Sequence, residues 1–223
     1  MRLTLLCAVL LAATPLGGAL AAEAPPAGDP VARYQALLAQ AKADPAQADW
    51  TALRYAYAAT PQFNVFGHPG VKQDMFRALG TKDYAAALKT AEAIIDDDFV
   101  DIDAHDVAAD AELALGQKAS SKSDRDIAHR LAASVKTGDG LSPYTPYNVI
   151  TVDEEYAVLR LEKLKVVDMA MGHAGPHHYD VVTVADAKGV RRDYFFLTDA
   201  VWAAEAVANP DAVPQPGQLD RAR

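Results

Sequence analysis

The feature that most constrains this chain is a change of period at Gly138-Asp139-Gly140. Before it, apolar residues return every three or four positions through an Ala- and Leu-rich stretch, the spacing of one helical face. After it, β-branched and aromatic residues gather in short runs separated by turn residues, the pattern of strands. Helices first and strands afterwards, without regular alternation, make an α+β fold rather than a doubly wound sheet.

In the first half, Asp29 and Pro30 open a helix carrying Val31, Tyr34, Leu38 and Ala41 on one face. Aspartate accepts from the free N–H groups of a first turn, and proline fits where no N–H is needed. Asp49 opens a second helix with Trp50, Leu53 and Tyr57, stopped by Thr60-Pro61, and Pro61 to Gly70 reads as an aromatic loop. Tyr84, Ala87, Leu88, Ala91 and Ile95 share the face of a further helix. Asp103 is expected to cap the next one, with Ala104, Val107, Ala108, Ala111 and Leu115 inward, and Asp124 to open another through Ile127, Leu131 and Val135. Gly80 and Gly116 read as helix stops 36 residues apart, close to the tetratricopeptide period of ~34 residues. Leu79-Gly80 and Leu115-Gly116 resemble that repeat's interhelical turn, but His105 stands where its first-helix aromatic belongs. Two incomplete repeats leave a plain helical bundle, close-packed through alanine, as the other reading.

In the second half, Tyr147 to Val152 reads as a strand and Asp153 as the cap of a helix from Glu154 to about Lys163. Strands at Val166 to Met171, Tyr179 to Val184 and Arg191 to Leu197 follow, joined through 172–178 and 185–190, and Asp199 opens a closing helix through Ala208. The expected fold is therefore α+β, a tetratricopeptide-like helical bundle (30–137) followed by a small β-α-β-β-β unit with an antiparallel meander (138–208). A linker (22–29) precedes it and a Pro-rich tail (209–223) follows.

Met1 to Ala21 has the three parts of a cleavable signal peptide: Arg2, the apolar run Leu3 to Leu11, and small residues at Ala19-Leu20-Ala21. The run is too short to span a bilayer, so the expectation is a periplasmic or secreted protein without membrane insertion after cleavage. Cys7, the only cysteine, falls inside the leader, so the mature chain has no thiol for a disulfide, a zinc site or a nucleophile. Removing Arg2 takes the formal charge from −9 to −10, and no run of Lys or Arg offers a surface for nucleic acid or anionic lipid.

Three stretches carry a resemblance: Leu53 to Pro61 (LRYAYAATP), Val100 to His105 (VDIDAH) and Ile150 to Leu159 (ITVDEEYAVL). In this order, and across about Tyr34 to Leu197, the chain resembles the bacterial family called domain of unknown function 4919. The resemblance implies an exported protein with a tetratricopeptide-like helical front half. It implies no activity and no catalytic residue.

Candidate chemistry is sparse. His173, His177 and His178, with Asp180 two positions on, form the one constellation with metal-ligand types. A His-rich polar turn is the plainer reading, because adjacent strand residues face opposite ways. Asp96, Asp97, Asp98, Asp101, Asp103 and Asp106 lack the glycine and terminal glutamate of a calcium loop and read as a solvated turn. Thr151 and Glu154 fit a capping box, and Arg54 is expected to pair with a nearby aspartate. Tyr55, Tyr57, Phe63 and Phe66 are the candidates for a partner-binding groove. No nucleophile elbow, zinc-protease helix, P-loop or dinucleotide fingerprint occurs. The expected function is a non-enzymatic, cofactor-free module binding a protein or peptide of the cell envelope through its helix pairs. The alternative is a metal- or small-molecule-binding protein using the His173–Asp180 loop.

Overall fold

The computed structural model describes residues 28–208. The expected leader Met1 to Ala21, linker residues 22–27 and the tail 209–223 lie outside the described residues. The helical half contains α1 (Pro30–Ala43), α2 (Trp50–Ala58), α3 (Pro69–Gly80), α4 (Tyr84–Asp97), α5 (Ile102–Ala114) and α6 (Lys118–Val135). The second half runs β1 (Tyr147–Asn148), α7 (Val152–Leu161), β2 (Lys165–Ala174), β3 (His177–Ala185), β4 (Arg191–Leu197) and α8 (Asp199–Ala208). The strands form one mixed sheet in the order β1-β4-β3-β2, antiparallel except for β1 beside β4. The α+β class and the β-α-β-β-β order read from the sequence both stand.

Two apolar cores hold the molecule, and they do not divide where the period changes. Leu53, Tyr57, Leu131 and Val135 from the helices pack with Ile150, Val158 and Leu159, and with Val182, Val184, Tyr194 and Phe196 from the sheet. Strand register explains the last four, since Val182 lies opposite Tyr194 and Asp180 opposite Phe196 on the covered face. The second core joins α3, α4 and α5 through Met75, Leu88, Ile94 and Val107, with Ala87, Ala91, Ala104, Ala108 and Ala111 between them. Alanines at these positions let helix backbones approach closely.

Several boundaries differ from expectation. Asp29 and Asp49 cap α1 and α2, but Asp101, not Asp103, caps α5, its carboxylate accepting from the Ala104 N–H at 2.9 Å. The helix starts earlier because Ile102 is itself buried, which leaves Asp103 free to turn inward. Asp124 lies inside α6 rather than at its start, because the polar run from Lys118 is already helical, its Ser121 hydroxyl bonding the Ala109 carbonyl at 2.7 Å. Thr151, not Asp153, caps α7. Helix α3 occupies a stretch given no element, with Pro69 in its first turn. Gly80 is still helical, and the left-handed residue after α3 is Lys82 (φ 63), matched by Gly116 (φ 84) after α5. The true stops, residues 82 and 116, are 34 positions apart, so α3–α4 and α5–α6 recur at that interval.

The first strand is two residues long instead of six. Beyond it the backbone groups that would continue the ladder are taken by side chains: Arg54 donates to the Asn148 carbonyl, and Glu154 accepts from the Ile150 N–H. Conversely, the expected loop 172–178 tightens to the two-residue turn Gly175-Pro176, with Gly175 at φ 60. Mirror-image hairpin turns require such a positive φ.

Candidate functional site

The three stretches that carried the family resemblance meet in space. Arg54, on α2, is fully buried; its guanidinium grips both carboxylate oxygens of Glu154, at 2.6 Å from Nε to Oε1, and donates to the Ser134 and Asn148 carbonyls. Glu154 and Arg54 thus tie α7, α2, α6 and β1 together. Next to them Lys72, on α3, lies 2.8 Å from Asp101, 3.4 Å from Asp103 and 2.8 Å from Asp153. Arg160 makes a two-pronged bond to Asp103 and packs over Phe76. Around these groups is a cavity of about 20 Å³, room for one water, lined by Lys72, Asp98, Asp101, Thr151, Asp153 and Glu154.

Electrostatics show what this cluster can do. Burial pulls the Lys72 ammonium down, but Asp101, Asp103 and Asp153 together outweigh it and hold the group above the ordinary lysine value. An amine so firmly protonated is no nucleophile and forms no Schiff base. Burial, and then Asp101, push the Asp98 carboxyl well above the usual range. Arg54, Lys72 and Arg160 are each engaged by carboxylates. Such a cluster orients helices against one another.

A second acidic pair lies under the sheet. Glu155, fully buried on α7, faces Asp180 on β3, and burial followed by Asp180 raises its carboxyl to about 9. Its oxygens find no donor among the described residues, which fits a protonated acid donating to the Asp180 carboxylate. A third buried group is His105, between the Asp124 carboxylate (2.6 Å) and the Phe99 carbonyl (2.9 Å).

The histidines of the expected metal constellation serve α8. His177 and the backbone N–H of His178 both bond Asp199, at 2.6 and 2.8 Å, and the His178 ring stacks on Trp202 at 4.5 Å. His173 lies opposite His178 across the hairpin, and Asp180 is turned to Glu155 instead. Among the described residues no group of three or more His, Cys, Asp or Glu is placed to hold a metal ion.

The aromatic candidates separate. Tyr57 is buried, 5.4 Å from Tyr34 and 5.6 Å from Phe63, and Phe63 packs against the same core. Tyr55 and Phe66 are exposed. Only Tyr57 of the four lines the larger cavity, a groove of about 270 Å³ between α1, the end of α2 and the end of α4. Its floor is Tyr34, Tyr57 and Phe99, its walls are Val31, Leu38 and Ile95, and its rim carries Gln35, Lys42, Asp96 and Asp97.

Sequence reading missed Lys72, Asp98 and the α1 side of the groove. A signal for Lys72 was present: it shares a helical face with Met75, Phe76 and Leu79, and a lysine on an apolar face needs a buried partner. Nothing marked Asp98 apart from its acidic neighbours.

Fold and cluster together define an α+β protein with buried ion pairs where α2, α3, α5 and α7 meet and an open groove in its helical half. Its residues 32–202 match the model of Domain of unknown function (DUF4919), and the chain belongs to that family. It matches no curated protein and no solved structure.

Proposed function

We propose that this chain is a non-enzymatic, exported binding module that takes a peptide segment of an envelope protein into the groove between α1 and α4. The groove carries the reading: an aromatic floor with a polar rim is what recognises a side chain and the backbone around it. The 34-residue recurrence of helix pairs supports a tetratricopeptide-like reading, an architecture whose grooves take peptides without catalytic apparatus. The engaged state of Lys72, Arg54 and Arg160 supports a binding role over catalysis, because none of these cations faces a substrate-sized opening.

The test is selection of the mature chain on a random heptapeptide library, with a plugged variant as control. Gln35 is exposed on the rim, so Gln35→Trp fills the groove without disturbing the core. Enriched peptides should bind the native chain and lose at least tenfold in affinity on the plugged one. Enrichment that Gln35→Trp leaves untouched would sink the groove as the site.

A further inference from the structure

We infer that the groove selects a cationic side chain, the lysine or arginine of an extended peptide, with its stem over Tyr34 and Phe99 and its charge against Asp96 and Asp97. This rests on the groove being a peptide site, and it specifies which peptides.

Three observations support it. The first is a placement that folding alone does not favour. Asp96 and Asp97 form the last turn of α4 and Asp98 caps it, with no basic residue in that turn. A helix C-terminus already carries about half a negative charge, so consecutive carboxylates there oppose the dipole. Asp98 is buried, while Asp96 and Asp97 are exposed and line the groove rim, Asp97 also lying 3.5 Å from the His68 ring.

Second, the floor already accepts an ammonium. Lys42, in the last turn of α1, is exposed and holds its Nζ 5.0 Å from the centroid of the Phe99 ring. A cation over an aromatic face is attracted by the ring quadrupole. A peptide cation would use the same face and displace the flexible lysine, so Lys42 is a competitor rather than a partner.

Third, the groove sits in negative potential. Two carboxylates, Asp96 and Asp97, stand in its lining against a single cation, Lys42. The whole chain is acidic as well, at −9, which favours approach of a basic segment.

Two fluorescein-labelled heptapeptides test this, identical except that one carries two lysines flanking a leucine and the other two glutamates. Anisotropy titration against the native chain, Asp96→Asn/Asp97→Asn and Lys42→Met supplies the readout. The lysine peptide should bind the native chain at least tenfold more tightly than the glutamate peptide, and more weakly as salt rises, because the rim charges are exposed. The double aspartate variant should weaken it by about tenfold, and Lys42→Met should tighten it several-fold. The double variant should also melt higher than the native chain, since it removes charge from the wrong end of a helix. Lost binding with raised stability therefore cannot come from unfolding. Preference for the glutamate peptide, abolished by Lys42→Met, would overturn the cationic assignment and leave the groove intact. Binding of neither peptide would overturn the groove reading with it.

Discussion

Arg54 and Glu154 were legible as chemistry-bearing residues but not as each other's partner, because a hundred positions separate them and helix periodicity carries no long-range pairing. Breaking the pair from one side leaves a buried charge without a counterion. Arg54→Met is therefore expected to cost about 3–5 kcal/mol, measured by urea unfolding with circular dichroism. Glu155 makes the opposite case. Its carboxyl is raised from the ordinary 4.5 to about 9, so it favours the folded state while protonated. That contribution is whole below pH 4.5 and is lost as pH rises toward 9, by up to ~1.4 kcal/mol per pH unit. Glu155→Gln keeps a donor for Asp180 and cannot ionise. The variant should be clearly more stable than the native chain at pH 8, and the gap should close near pH 4.5. Equal pH profiles for the two proteins would show that Glu155 is not the protonated partner.

Helix ends are where the sequence was most misleading. Asp101, Asp103, Thr151 and Asp153 are all chemically able to cap, and which one does so depends on tertiary contacts that local patterns omit. Gly80 looked like a stop, yet the left-handed position after α3 belongs to Lys82, and the one after α7 to Lys163 (φ 58). Each places a Cβ where glycine would carry none. Lys82→Gly and Lys163→Gly should each stabilise by about 1 kcal/mol, read as a rise in melting temperature. Gly140 behaves in the reverse sense. It sits at φ 70, and a Cβ there would lie 2.8 Å from the Tyr194 ring and 2.9 Å from that of Tyr147. Gly140→Ala should therefore destabilise the junction of α6 with β1 and β4, visible as faster amide exchange at Phe195, whose N–H bonds the Gly140 carbonyl. Strand β4 has the expected bounds, Arg191–Leu197, whereas β2 runs on to Ala174 past the expected Met171, because it is exposed along nearly its whole length and no buried face marks its end.

At the scale of the molecule, the change of period at Gly138 was a sound guide to which secondary structures form and a poor one to which residues pack together. One core takes α1, α2 and α6 together with the sheet, while α3 and α4 share a smaller core with α5. Core membership depends on which helix faces meet, and period analysis gives each face without its partner. Lys72 links the two bodies of packing, since it reaches from α3 to α5 and across to Asp153 on α7. Lys72→Met should raise amide exchange through α3 and α4 while leaving β3 and β4 protected. Uniform acceleration over the whole chain would instead mean that the molecule opens as one unit.

The way Lys72 is held has a consequence for anyone who maps this protein chemically. Amine-directed reagents acylate the free base at an accessible nitrogen, and Lys72 offers neither the free base nor the access. Lys42, exposed at the groove, offers access. Brief treatment with acetic anhydride followed by peptide mass mapping should mark Lys42 early and Lys72 last. The delay at Lys72 then becomes a clock for the opening of α3, and protection of Lys42 a label-free gauge of whether the groove is filled.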